Sequence, residues 1–129
     1  MNRVSNVAQM LHEYGDFLAE CKYFVDNDTC SVAELNYLTL GLAGESGEFT
    51  DAFKKYVRDR GVSNTMRVSE IPEAVRNRLI DEIGDVFWYF WLIIELLDVR
   101  LEDVLKRNVQ KLRQRQPTLK WPFSEIYDE

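Results

Sequence analysis

Histidine is nearly absent from this chain, with His12 its one example. No glutamate stands three residues before His12 to make the Glu-x-x-His ligand motif of di-iron carboxylate bundles, and no catalytic triad can be built around it. It reads as a surface or pocket residue rather than a metal ligand. Cysteine is as scarce: Cys21 and Cys30 form no C-x-x-C pair and are too few for a disulfide scaffold, so two reduced thiols are expected. Positive charge is in deficit, with 16 Lys+Arg against 22 Asp+Glu and a net charge of −6. That excludes a chain whose main work is gripping a nucleic-acid backbone, which needs clustered surplus Lys and Arg. It leaves room for a small anion held through a metal. Long apolar runs are missing too. The longest, Val86 to Ile94, is bounded by Asp85 and Glu95 and falls far short of the roughly 20 residues of a membrane span. The opening MNRVSNVAQMLHEYGDF has no continuous apolar core of the signal-peptide kind, so a cytoplasmic protein without a membrane partner is expected. There is neither a P-loop nor a Rossmann glycine motif, no strand pattern, and no linker that would divide residues 1–129 into domains.

What is present is helical spacing. Val4, Val7, Leu11, Tyr14, Leu18 and Cys21 step by three or four and share one stripe. Ser31 with Glu34 reads as a capping box opening a second helix. That helix carries Leu35, Leu38, Leu42, Phe49, Phe53 and Tyr56 and fades near Arg60-Gly61. Residues Gly61 to Ser69 have no period and read as a loop. Ser69 is a candidate cap for a third helix, with Pro72 in its first turn and Val75, Leu79, Val86, Phe90, Ile93 and Leu97 along it. After a break at Asp98–Arg100, Leu101, Val104, Leu105 and Leu112 mark a fourth helix, which Pro117 stops; the tail from 117 to 129 has no helical period. The expectation is an all-α, four-helix bundle. The stretch Val86–Ile94 is apolar on every side and so should be buried on every side. One small chain can hardly wrap it, which points to a homo-oligomer with this helix central to the interface.

Helices two and three repeat each other at an offset of 37 residues. Glu45, Gly47, Glu48 and Phe49 correspond to Glu82, Gly84, Asp85 and Val86, giving a shared E-x-G-[ED] followed by an apolar residue. At about 100° per residue, Glu45 lies within roughly 60° of Leu38, Leu42, Phe49 and Tyr56, inside the apolar stripe. Glu82 sits in the same way among Val75, Leu79, Val86 and Ile93. Glu48 and Asp85 follow one turn on at the stripe's edge, and i, i+3 pairs point the same way. Two such helices packed antiparallel aim four carboxylates into one interior space. Crowded, partly buried carboxylates repel one another and lose hydration, so they call for a hard cation, Mg²⁺ or Mn²⁺ rather than zinc. Gly47 and Gly84 each weaken a helix by about 1 kcal/mol relative to Ala, for which close approach of backbone or ligand is a reason. The competing reading of each pair is a solvated face with Lys partners, and Lys54 and Lys55 stand further along the helix.

Helix four supplies the positive side. Asn108 shares a stripe with Leu101, Leu105 and Leu112, and Lys111 and Arg115 follow at i+3 and i+7. An amide, an ammonium and a guanidinium on one edge fit phosphate oxygens. The alternative is an ordinary basic helix C-terminus, favourable to the helix dipole.

The segments GLAGESGEFTDAFKK, DEIGDVFWY and NVQKLRQR resemble the MazG-like all-alpha nucleoside triphosphate pyrophosphohydrolases, from about Leu38 to Arg115. The resemblance implies a helical bundle assembled as a dimer or tetramer, and Mg²⁺-dependent hydrolysis of a nucleoside triphosphate to monophosphate and pyrophosphate, with nucleotide-pool housecleaning as the expected purpose. It implies Glu45, Glu48, Glu82 and Asp85 as metal ligands, and Lys54 or Lys55, Asn108, Lys111 and Arg115 as triphosphate contacts. The irregular stretch between the two acidic motifs departs from the family pattern. Trp121-Pro122-Phe123 in the tail has no counterpart to carry over and could cover the site or pack on a neighbour.

The mechanism to expect is in-line attack of a metal-activated water, with Glu48 or else Glu45 assisting as base and Lys and Arg neutralising the pyrophosphate leaving group. Tyr14, Phe17 and Tyr89 are candidates for an aromatic slot for the base, with plain core packing as the competing role of each. Two other readings compete. One is a phosphoribosyl-ATP pyrophosphatase or dUTPase-like enzyme of similar architecture. The other is a non-catalytic helical interaction or regulatory module, against which the full acidic set weighs.

Overall fold

The computed structural model describes residues 3–20, 31–118 and 120. Among them the order is α1 (Arg3–Glu20), α2 (Val32–Arg60), a single 3-10 turn at Val68–Glu70, α3 (Glu73–Leu96) and α4 (Leu101–Arg115), with no strand. The expected thiols Cys21 and Cys30, and the tail residues Trp121, Pro122 and Phe123, lie outside the described residues. No described helix is long and apolar enough to cross a membrane. The chain forms two compact units, the first ending at Ile93 and the second beginning at Ile94.

In the first unit, α2 begins as the capping box predicts. Ser31 is extended, and its hydroxyl accepts from the Glu34 N–H at 3.1 Å. The helix ends at Gly61, which adopts the left-handed conformation (φ 59°, ψ 38°). There the N–H groups of Gly61 and Val62 both turn back to the Val57 carbonyl. The third helix starts later than the sequence pattern predicts. A cap at Ser69 would place Ile71 inside the helix, but Ile71 precedes Pro72, and the proline ring disfavours helical backbone at the residue before it. Ile71 is accordingly extended (φ −64°, ψ 129°), Ser69 belongs to the 3-10 turn, and the Pro72 carbonyl accepts the first helical bond from Arg76 at 2.9 Å.

The three helices of this unit meet through rings and small residues. Tyr14 of α1 packs against Phe87 and Trp91 of α3, with centroids 5.7 and 6.0 Å apart. Tyr37 of α2 faces Tyr89 of α3 at 6.5 Å. The row Tyr37, Gly41, Glu45, spaced by four, meets Tyr89, Asp85, Glu82 running the other way, so α2 and α3 are antiparallel. The described core of the unit is small: Leu18, Leu38, Ala52 and Leu92. Trp88, Phe90 and Trp91 on α3 are half-buried, and Ile80 and Ile83 are exposed, so this single chain does not bury α3 on every side.

The second unit carries α4. Its start follows a tight reversal at Asp98 (φ 52°), where Asp98 N–H bonds to the Glu95 carbonyl and Val99 N–H to that of Ile94. Glu102 and Asp103 in the first turn and Arg113 and Arg115 in the last suit the helix dipole. Of the stripe predicted for Asn108, Leu101 is half-buried but Leu105, Asn108 and Leu112 are exposed, while Val104, Val109 and Arg113 outside it are half-buried.

Candidate functional site

Glu45 reaches the face between α2 and α3 because it occupies the apolar stripe of its helix, flanked by half-buried Leu42 and Phe49. Glu82 does the same on α3, and Asp85 lies one turn beyond it. The antiparallel crossing brings these three together: an oxygen of Glu45, one of Glu82 and one of Asp85 all lie within 4.8 Å of one another. Glu45 and Glu82 are half-buried and Asp85 is exposed. Among the described residues no other group of acids, histidines or cysteines gathers in this way.

Electrostatics registers the crowding. Burial, followed by the charges of Asp85, Glu82 and Glu48, pushes the Glu45 carboxyl above its ordinary range. The fourth predicted carboxylate, Glu48, is exposed and stands outside the three-oxygen cluster, although its charge is felt by Glu45. Three carboxylate oxygens at this separation are a hard, anionic donor set, which fits Mg²⁺ or Mn²⁺.

The cationic candidates are placed as follows. Lys54 and Lys55 on α2 pair with Asp51, at 3.3 and 2.6 Å, and not with the glutamates. Hydrogen bonding first from Lys55 and then from Lys54 holds the Asp51 carboxyl below the usual range. In the second unit, Asn108 and Lys111 line a groove on α4 with Arg107 and Gln114, while Arg115 lies at the helix end. His12 is on the surface of α1, 3.6 Å from Asp16.

A cleft of about 470 Å³ opens directly beside the acidic cluster, lined by Tyr14, Tyr37, Gly84, Asp85, Trp88 and Tyr89. Tyr14 and Tyr89 were candidates from sequence; Phe17, the third, is exposed and does not line the cleft. Tyr37 and Trp88 escape sequence reasoning. The available signal was the step of four from Tyr37 through Gly41 to Glu45, which sets Tyr37 on the row of the metal-ligand candidate. Tyr89 holds a fixed place in the cleft wall. Its ring lies on the Gly41 backbone, where an added Cβ would collide with three ring carbons. Its hydroxyl shares a hydrogen bond with Tyr37, and burial foremost, then that bond, pushes its pKa up. Close approach therefore belongs to Gly41. At Gly47 and Gly84 an added Cβ would meet nothing within 4 Å.

The chain is 40% identical over 89 residues to the Gene 37 protein of Mycobacterium phage L5, covering 68% of this chain and 71% of that one. No solved structure matches it significantly. The MazG nucleotide pyrophosphohydrolase domain matches residues 34–120, a span that takes in α2, α3, α4 and all three clustered carboxylates. The chain belongs to the MazG nucleotide pyrophosphohydrolase family.

Proposed function

We propose that this protein hydrolyses a nucleoside triphosphate, NTP or dNTP, to the monophosphate and pyrophosphate with Mg²⁺, as a housecleaning enzyme of the cytoplasmic nucleotide pool. The observation that carries the reading is the meeting of Glu45, Glu82 and Asp85 between α2 and α3 in a chain of this family. These three would hold Mg²⁺, or Mn²⁺ in its place. When bound, the cation screens phosphate charge and lowers the pKa of water.

The chain's own residues divide the remaining work. Glu48, exposed one turn beyond Glu45 and outside the cluster, accepts the proton of the attacking water. Glu45 positions rather than abstracts, because it is committed to the cluster. Lys54 and Lys55, held by Asp51, neutralise charge on the phosphates. Asn108, Lys111 and Arg115 on α4 are a separate set of groups suited to phosphate oxygens. The tyrosine-lined cleft takes the nucleoside, starting where the acidic cluster ends, at Asp85.

A homo-oligomer, dimer or tetramer, accompanies this reading. The half-buried rings of α3 and the exposed Ile80, Ile83, Met10 and Leu40 leave more apolar surface than one small chain covers. No nucleic-acid or membrane partner is required.

The test is a phosphate-release assay with coupled pyrophosphatase over common and damaged NTPs and dNTPs, with and without Mg²⁺. Turnover of at least one substrate that needs Mg²⁺ and disappears in Glu45→Gln and Glu82→Gln is the expected result. Turnover of none, or full activity in both variants, overturns the reading.

A further inference from the structure

Within this chain Gly84 makes no packing contact that calls for glycine. It lies in the middle of α3, where glycine lowers helix stability relative to alanine. Its backbone is ordinary helix; among the described glycines only Gly61 has a positive φ. Nothing packs against it either, since an added Cβ would have no neighbour within 4 Å. Gly41 shows the contrast, for there the Tyr89 ring occupies the place of a side chain. At Gly84 that place is open, and it opens into the cleft.

The cleft is an open depression lined by aromatic side chains. Tyr14, Tyr37, Trp88 and Tyr89 surround bare helix backbone at Gly84, and its volume of about 470 Å³ lies within the range of small-molecule sites. Aromatic walls offer faces for stacking, which is tolerant of base identity, while phenolic hydroxyls at the rim offer directional bonds. The Gly41 seat and the Tyr37 hydroxyl fix the Tyr89 wall. Asp85 belongs to both the cleft and the acidic cluster, so a ring in the cleft is tethered one residue from the metal-ligand candidates.

We infer that Gly84 is a specificity-determining residue: its missing side chain is the floor on which the nucleobase lies. The inference rests on the proposed nucleotide chemistry and extends it to base selection. A methyl group at this position meets no protein atom within 4 Å, so Gly84→Ala acts on the ligand alone.

Calorimetry on the full chain separates the two ends of the site. One titrant is a panel of purine and pyrimidine nucleoside monophosphates; the other is inorganic tripolyphosphate with Mg²⁺. Gly84→Ala is expected to weaken the best monophosphate ~10-fold, the scale of one methyl group set against a bound ring, and Gly84→Leu to weaken it further. Tripolyphosphate binding stays at the parent value, and the thermal midpoint stays or rises. Parent-like monophosphate affinity in both variants overturns the inference. So does a parent protein that binds tripolyphosphate with Mg²⁺ but no monophosphate, an outcome that leaves the proposed phosphate chemistry standing. Binding of neither titrant sinks both. Gly84→Ala, one methyl in open space, decides the matter if Gly84→Leu does not fold.

Discussion

The ring of Tyr89 on α3 rests on the backbone of Gly41 on α2, with no room for a side chain between them. Two helices thus meet in close contact one turn from the acidic cluster. Gly41→Ala gains helix propensity but forces an aromatic ring, not the loose end of a flexible chain, to move. Such overpacking costs about 1–3 kcal/mol, more than the ~1 kcal/mol of propensity returns. The expected outcome is a lower thermal midpoint together with weaker metal binding. A second substitution, Tyr89→Leu, should relieve the first, so the double variant is more stable than the sum of the two losses. Strict additivity in that cycle would show that the two positions do not touch.

The crowded carboxylates make stability depend on pH in a direction opposite to the usual acid. Glu45 is raised above its ordinary 4.5, by burial first and then by Asp85, Glu82 and Glu48. The folded chain therefore holds this proton more tightly than the unfolded chain. Below 4.5 both forms are protonated and the effect vanishes; as pH climbs through the folded pKa, stability is lost and stays lost above it. In metal-free buffer, Glu45→Gln should melt higher than the parent at neutral pH, with the gap closing toward pH 4. Mg²⁺ at saturating concentration should reverse the order, because only the parent gains binding energy. Thermal melts at several pH values, with chelator and with Mg²⁺, check both signs.

Gly61 ends α2 in the left-handed region, and an added Cβ there would meet no neighbour. The cost of Gly61→Ala is then purely backbone, about 1 kcal/mol, read as a drop of a few degrees in melting temperature. Asp98 ends α3 with the same sign of φ (52°) but carries a side chain. Asp98→Gly should therefore act the other way and stabilise, by less than ~1 kcal/mol. Equal and opposite signs at two helix ends identify backbone strain, whereas a contact-based effect would destabilise in both.

The residues that sequence reasoning located are those that break a pattern. Glu45 and Glu82 stand out because acids intrude into apolar stripes, and Ser31 because its hydroxyl has a local target three residues on. What escaped depends on partners distant in the chain. Tyr37 is one aromatic among six tyrosines until α3 arrives opposite it. Gly41 looks like any helical glycine until a ring from 48 residues away lies on it. Ser69 failed as a cap for a local reason that was legible, since Ile71 precedes Pro72. On α4 the leucines of the expected stripe, Leu105 and Leu112, are exposed while Val104 and Val109 on either side of it are half-buried. Periodicity gives a stripe, but when two stripes of similar apolarity lie on one helix only tertiary packing selects between them.

Glu48 stands apart from Glu45, Glu82 and Asp85, and that separation predicts two classes of variant. Removing a carboxylate from the trio deletes one of three oxygens that converge within 4.8 Å, so Glu45→Gln, Glu82→Gln and Asp85→Asn should each abolish the heat of Mg²⁺ binding. Their turnover should fall by more than ~100-fold, beyond the loss typical of an outer-shell partner. Glu48→Gln leaves the converging set intact. It should retain Mg²⁺ binding, lose kcat by ~100-fold or more as a general base does, and leave KM near the parent value. Glu48→Asp keeps a carboxylate at shorter reach and should recover part of kcat. Loss of Mg²⁺ binding in Glu48→Gln, matching the other three, would instead make Glu48 a fourth ligand, and the proton would then have to go to another group.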